Sequence, residues 1–163
     1  MRVLVLADTH IRRGRARRLP DAVYDELARA DAVLHAGDLV EGELLDELAA
    51  FAPVHAVLGN NDSDLVGRLP ETDVAVLAGV RVAMIHDSGA TAGRERRMAR
   101  RFPGAQVVVY GHSHAPDNRI GLEGQLLFNP GSPTERRGQP HQSYGILELD
   151  GEVVVNRIVP IDP

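Results

Sequence analysis

The sequence predicts an α/β protein whose first half builds a covered parallel sheet and whose second half adds antiparallel strands. Three observations carry this. Short apolar runs recur without polar interruption, the mark of strands buried on both faces. Amphipathic stretches separate the early runs, as in β-α-β units. Tight turn pairs at Ala78-Gly79, Glu123-Gly124 and Asp150-Gly151 join the later ones as hairpins. The chain of 163 residues is read as one domain spanning 1–163. A chain of this length buries roughly 70% of its unfolded surface and needs no covalent staples.

The elements follow in order. Val3-Leu4-Val5-Leu6 is the first strand. A helix over 20–30 follows, with Pro20 in its first turn and Leu19 or Val23 facing inward. Ala32 to His35 is the second strand. A helix over 42–51 puts Leu44, Leu45 and Leu48 on one face. The third strand runs over 54–58. Val74 to Leu77 and Val80 to Ile85 form a hairpin, 92–102 a helix, and 106–110 a further strand. Two more hairpins finish the chain. No repeat, linker or low-complexity stretch appears.

Composition excludes several chemistries. There is no cysteine, so disulfides, thiolate nucleophiles and Cys-ligated metals are ruled out. There is no lysine either, and all 18 basic residues are arginine. A P-loop lysine, a Schiff base and a kinase strand lysine are therefore impossible. Three Phe, three Tyr and no Trp make a poor stacking platform for single strands. The formal net charge of −5 does not point to stable nucleic-acid or membrane binding. No apolar run approaches the ~18 residues of a membrane span. Asp8 follows Val3 too soon for a secretory segment. The expected location is the cytoplasm, with a chain that starts at or near Met1.

The strand ends concentrate the chemistry. They read Asp8-Thr9-His10, His35-Ala36-Gly37-Asp38, Gly59-Asn60-Asn61-Asp62, His86-Asp87 and Gly111-His112-Ser113-His114. Ligands of α/β sheets bind beyond the carboxyl ends of the strands, so these clusters should converge. Gly37, Gly59 and Gly111 permit sharp turns and leave room for bound atoms. Asp and His without Cys suit Mn, Fe(II), Ni or Zn. In Asp8-x-His10 and His112-x-His114, an extended backbone would send both side chains the same way. The candidates are Asp8, His10, Asp38, Asn60, His86, His112 and His114. Seven ligands exceed one four-coordinate ion and fit two ions with a shared carboxylate. Two divalent ions ~3.5–4 Å apart can hold a bridging hydroxide and polarise a phosphate. None of this requires lysine, cysteine or an activated serine.

These blocks resemble the calcineurin-like metallophosphoesterase superfamily, in the family's order over residues 1 to about 115, and Asn129-Pro130-Gly131-Ser132 extends the likeness. The resemblance is to the small single-domain phosphodiesterase branch, which is related to the retromer scaffold subunit. It implies a two-sheet α/β sandwich of mixed parallel and antiparallel strands with flanking helices. It also implies Asp8, His10 and His114 on one ion, Asn60, His86 and His112 on the other, and Asp38 between them. Many members carry a histidine where Asn61 stands. An amide can hydrogen-bond a phosphoryl oxygen but cannot donate a proton as imidazolium does. Asn61 and Asp62 are therefore the candidate catalytic pair beside the metals. Asp62 is read either as an acceptor behind the ligands or as a turn cap. Asp87 departs from the family pattern and has no assigned role.

Singly, each Asp or His is an ordinary turn or core residue. Together, buried carboxylates at one sheet edge require cations. His35 and His55 lie within strands and are read as structural, with His35 able to orient a ligand. His141 is read as solvated. Asn129 and Gly131 suit a turn near the metals, and Ser132 is not read as a nucleophile. Arg12 and Arg13 follow His10 and are candidate substrate contacts, with Arg136 and Arg137 behind them. The arginines of the 92–102 helix are read as a solvated face. The expected protein is a metal-dependent phosphodiesterase with two divalent ions, manganese first, acting on a small diester, a nucleotide-derived one among the options. The alternatives are a non-catalytic scaffold of the same fold, a phosphomonoesterase, or a one-metal hydrolase or storage protein. A homo-oligomer edge along the C-terminal hairpins is left open.

Overall fold

The computed structural model describes residues 1–161. Two five-stranded sheets stack face to face. The first holds β1 (Arg2–Leu6), β2 (Ala32–His35), β3 (Val54–Ala56), β9 (Gln142–Asp150) and β10 (Val153–Ile161) in the order β10-β9-β1-β2-β3. The second holds β4 (Thr72–Leu77), β5 (Val80–Ile85), β6 (Val107–Val109), β7 (Asp117–Ile120) and β8 (Leu126–Asn129) in the order β4-β5-β6-β8-β7. Strands β1, β2 and β3 are parallel, as are β5, β6 and β8, and the remaining neighbours are antiparallel. The second half is thus not simply antiparallel. Its two hairpins flank a parallel centre, because β6 is paired by strands that sequence proximity does not connect.

The continuous apolar runs now have a cause. Val3, Val5 and Ala7 point between the sheets, against Met84, Val109 and Phe128. Leu4 and Leu6 point the other way, onto Leu19 and onto the helices α1 (Asp21–Leu27) and α2 (Gly42–Ala49), through Val23, Leu27, Leu44 and Leu48. Both faces of β1 are dry, so nothing in it alternates. A third core joins Ala83, Val108 and Tyr110 to Met98 and Phe102 of the α3 segment (helix Arg94–Arg101). Burying each such side chain contributes about 1.5–3 kcal/mol. The edge strands do alternate. Val74 and Val76 on β4 and Val153 and Val155 on β10 face outward while their neighbours face in.

The helices are shorter than their periodicity suggests. Past α1, the N–H groups of Arg29 and Ala30 donate to carbonyls three residues back, and Phe51 N–H does the same past α2. Such tightened last turns end an α-helix. At α3 the start shifts because Gly93 sits at φ 73°, outside helical space. The far ends of the two sheets also meet. Gly151 N–H, in the β9–β10 turn, donates to Ala78 O, in the β4–β5 turn, at 2.9 Å.

Candidate metal centre

The opposite end of the sandwich collects the strand termini. From the first sheet come Asp8 and His10 after β1, Asp38 after β2, and Asn60, Asn61 and Asp62 after β3. From the second come His86 after β5 and His112 and His114 after β6. The loops are cross-tied by backbone bonds, with Asp8 N–H to Gly37 O and His10 N–H to Asp38 O, both at 3.0 Å, and Gly111 N–H to His86 O at 2.9 Å. All seven candidate ligands gather here.

Two groups of donors form. Asp8, His10 and His114 make one, and Asp8, Asp38 and His86 the other, with the ligating atoms of each within 4.8 Å of one another. His10 Nε2 lies 3.1 Å from His114 Nε2 and 3.5 Å from Asp38 Oδ2. His86 Nε2 also lies 3.5 Å from Asp38 Oδ2, so that carboxylate stands between the groups. Asn60 Oδ1 sits 3.1 Å from His86 Nε2 and 3.0 Å from His112 Nδ1. His86 Nδ1 donates to Ala36 O at 2.7 Å and His114 Nδ1 to Glu135 O at 3.0 Å. These bonds set the tautomers and turn the Nε2 lone pairs inward.

The backbone departs from expectation here. Asp8, His10, Asp38, His112 and His114 all have positive φ, between 46° and 68°. Asp8-x-His10 and His112-x-His114 are therefore not extended. His114 joins Asp8 and His10, whereas His112 turns to Asn60 and His86. Left-handed conformations cost non-glycine residues free energy and persist where surrounding structure holds them. Asp8 O accepts Ser132 Oγ–H at 2.8 Å, and Thr9 O accepts Thr134 Oγ1–H at 2.7 Å. Gly111 has a different reason to be glycine. A Cβ there would lie 2.8 Å from both Asp8 Oδ2 and Ala7 Cβ.

The electrostatics ask for cations. Burial first, and the Asp38 charge second, push Asp8 up to about 8. Its Oδ2 is buried without a hydrogen-bond partner among the described residues. Burial works to raise Asp38 too, but hydrogen bonds from Asn61 and the nearby His86 and His10 hold it below the usual carboxylate range. Burial lowers both His10 and His114, leaving neutral rings whose lone pairs can bind metal. An orphan carboxylate oxygen beside neutral imidazoles and an amide oxygen is a donor set that fits divalent ions.

Around this cluster, Asp62 is buried and its carboxylate is fully engaged. Oδ2 accepts from Asp38 N–H at 2.8 Å and Gly59 N–H at 2.7 Å, and Oδ1 from Val40 N–H at 2.6 Å. Asn61 donates to Asp38 from its backbone at 2.8 Å and from Nδ2 at 2.7 Å. His35 is fully buried and lowered to about 3, mainly by burial. Its Nε2 meets Thr9 Oγ1 at 3.1 Å, and that hydroxyl also reaches Asp38 O at 3.3 Å. Asn129 Nδ2 donates to Gly111 O at 3.0 Å, and its Oδ1 accepts from Gly131 N–H at 2.9 Å, closing the turn behind β6.

The arginines divide. Arg12 is exposed and lines a cavity of about 370 Å³ beside His10, with Arg15, Arg17 and Glu135. Arg13 is drawn aside, its Nη1 3.8 Å from Glu43. Arg17 pairs with Glu135 at 2.5 Å and donates to His10 O at 3.3 Å. Arg137 bonds Glu135 at 3.1 Å, and Arg136 bonds Pro140 O at 3.2 Å. Asp87 is exposed and accepts from Gly89 N–H at 2.7 Å. On α3 the expectation of a solvated face needs correcting. Arg94 is buried against Asp117, Tyr110 and Gly89 O, and Arg97 binds the carbonyls of Ser88, Ala90 and Ala92. Glu135 and Thr134 support the ligands through backbone carbonyl and hydroxyl contacts, which no side-chain pattern announces.

Comparison with known proteins places this arrangement. Residues 1–152 match the model of the calcineurin-like phosphoesterase superfamily domain. A probable metallophosphoesterase of Methanothermobacter thermautotrophicus is 37% identical over 161 residues, covering 98% of this chain and 92% of its own. Another from Methanocaldococcus jannaschii is 33% identical, covering 99% of this chain and 82% of its own. Among solved structures, a Thermotoga maritima protein is 31% identical with a TM-score of 0.74, covering 98% of this chain and 99% of its own. The Entamoeba histolytica Vps29 in complex with Zn²⁺ shares the fold at a TM-score of 0.78 and 24% identity, covering 98% and 99%. With two stacked mixed sheets, three helices and candidate ligands gathered at the strand ends, the chain belongs to the calcineurin-like phosphoesterase superfamily.

Proposed function

We propose that this protein is a phosphoesterase that works with two divalent metal ions and hydrolyses a small phosphodiester. One observation carries the reading: Asp8 Oδ2 is buried without a hydrogen-bond partner among the described residues, at the point where neutral imidazoles turn their lone pairs inward. Asp8, His10 and His114 would hold one ion and Asn60, His86 and His112 the other, with Asp38 shared. When bound, such ions lower the pKa of a water and neutralise phosphate charge. Manganese suits this nitrogen and oxygen set, as do nickel, iron and zinc. The Zn²⁺ of the Entamoeba Vps29 supports metal loading of this fold.

The chain's own residues supply position and specificity. Asp62 holds the Asp38 and Asn60 loops through three backbone N–H groups, so it acts as a positioning residue. Asn61 fixes Asp38 and offers an amide to a phosphoryl oxygen. It cannot protonate a leaving group, which favours diesters whose leaving group is weakly basic. Arg12 opens onto the cavity beside His10 and can pair with a non-bridging phosphate oxygen.

Elemental analysis and turnover test this together. The manganese-reconstituted protein should carry two ions per chain and hydrolyse bis-p-nitrophenyl phosphate faster than mono-p-nitrophenyl phosphate. His112→Ala should lose about a hundredfold or more in rate. Equal rates for the variant and the parent would overturn the site, and one ion per chain would overturn the dinuclear form. The fold shared with Vps29 favours a second reading, a binding scaffold, for which metal-loaded protein turns over neither ester.

A further inference from the structure

Helix α3 carries guanidinium groups without a carboxylate partner among the described residues, one of them, Arg101, lying 5.8 Å over the Phe102 ring. Arg94 is held by Asp117, Tyr110 and the loop before the helix, and Arg97 by that loop. Arg96, Arg100 and Arg101 are exposed and have no carboxylate at ion-pair distance among the described residues. These three line one cleft of about 540 Å³ together with the 87–89 segment. In a chain of net charge −5, three unpaired cations along one cleft form a local anion site.

The position of this cleft gives it meaning. A second cavity, of about 370 Å³, opens on His86, His112 and Asn60. Ile85, Asp87 and Arg101 line both, so the two are neighbours along one surface path. Glu71 lines the cavity at the candidate ligands, Asp87 and Arg101 line both, and Arg96 and Arg100 line the α3 cleft alone. A chain of consecutive phosphates would meet Asp87 and Glu71 with like charge. A neutral, oxygen-bearing segment would meet them without repulsion, and an anion beyond it would reach Arg101, Arg100 and Arg96.

We propose that the α3 cleft binds a second phosphate of the substrate, separated from the scissile phosphodiester by a neutral sugar-like spacer. The inference rests on the phosphoesterase reading above for the identity of the scissile group. It differs from the Arg12 contact, which lies on the His10 side of the centre. The substrate class is then a phosphodiester whose sugar carries a further phosphate, rather than a simple diester or a linear polyphosphate.

Two p-nitrophenyl esters of thymidine 5′-phosphate, one with a free 3′-hydroxyl and one with a 3′-phosphate, isolate the effect. The manganese-loaded enzyme should favour the 3′-phosphorylated ester by about tenfold in kcat/KM, through KM, as one or two charge-assisted contacts would give. The double variant R100Q/R101Q should bring that ratio near one, while R29Q, which removes one charge beyond α1, should keep it. A ratio of one in the parent enzyme, or an unchanged ratio in R100Q/R101Q, overturns the proposal. Calorimetry with thymidine 3′,5′-bisphosphate and thymidine 5′-phosphate reads the cleft without turnover. The bisphosphate should bind the parent about tenfold more tightly, and R100Q/R101Q should lose that advantage. If no ester is cleaved but the bisphosphate advantage appears and is lost in R100Q/R101Q, the phosphoesterase reading fails and the cleft stands. If esters are cleaved and neither preference appears, the cleft fails and the phosphoesterase reading stands.

Discussion

Asp8 is the residue most changed by its surroundings. Buried beside Asp38, its carboxyl is pushed up to about 8 from an ordinary 3.8. Without metal, the folded chain holds this proton more tightly than the unfolded chain does. The contribution of Asp8 to stability is fully present below about pH 4 and is lost as pH rises through about 8. In EDTA, Asp8→Asn should match the parent near pH 4 and melt higher at pH 8. Taking about 2 kcal/mol for the effect gives a gap of about 4–8 °C. Thermal melts at the two pH values check this, and a parent that melts above the variant at pH 8 refutes it. Asp62 matters through its hydrogen bonds, accepting from three buried backbone N–H groups. Asp62→Ala leaves those donors buried and unsatisfied and should lower unfolding free energy by about 3 kcal/mol or more, read by urea titration. A variant of parental stability that has lost only turnover would instead make Asp62 a participant in the chemistry.

At the level of elements, the arginines of α3 show what a helix needs from its flanks. Arg94 Nη1 meets Asp117 at 3.1 Å, and Nη2 meets Gly89 O at 3.2 Å. The helix, the preceding loop and β7 are thus tied through one partly buried guanidinium. Arg94→Met should cost about 1–2 kcal/mol, because partly buried Asp117 loses one of its two arginines and keeps Arg119 at 3.3 Å. Urea denaturation measures it, and a loss below 0.5 kcal/mol would return Arg94 to the solvated surface. This contact was not legible in sequence, because an arginine on a helix looks the same whether its partner is water or a strand two dozen residues away. The strands were legible, since β1, β2 and β5 are apolar on both faces and end in Asp or His. The convergence of those ends was legible for the same reason. The left-handed backbone at Asp8, His10 and His112 was not. It goes with ties of Asp8 to Ser132 O–H and Gly37 O, of His10 to Asp38 O and of His112 N–H to the Asp8 carboxylate that only the folded chain assembles, so the alternate spacing of His112 and His114 suggested one direction where there are two.

Across the whole molecule, the candidate ligands come from both sheets, so ions held by them would join the layers. Anything that binds the folded chain alone stabilises it by mass action, about 2.7 kcal/mol at a hundred times Kd. Manganese at that ratio should raise the melting temperature by about 5–10 °C over EDTA. Scanning fluorimetry across a manganese series tests it, and a midpoint indifferent to metal would mean that the folded chain does not bind manganese. The backbone bond from Gly151 to Ala78 lies at the other end of the strands. With that far corner pinned by peptide groups that no chelator can remove, stripping the ions would free the layers like a book held at its spine. Amide exchange would quicken at the page edges around residues 8, 38, 86 and 112, while the turns at 78 and 151 stayed shut.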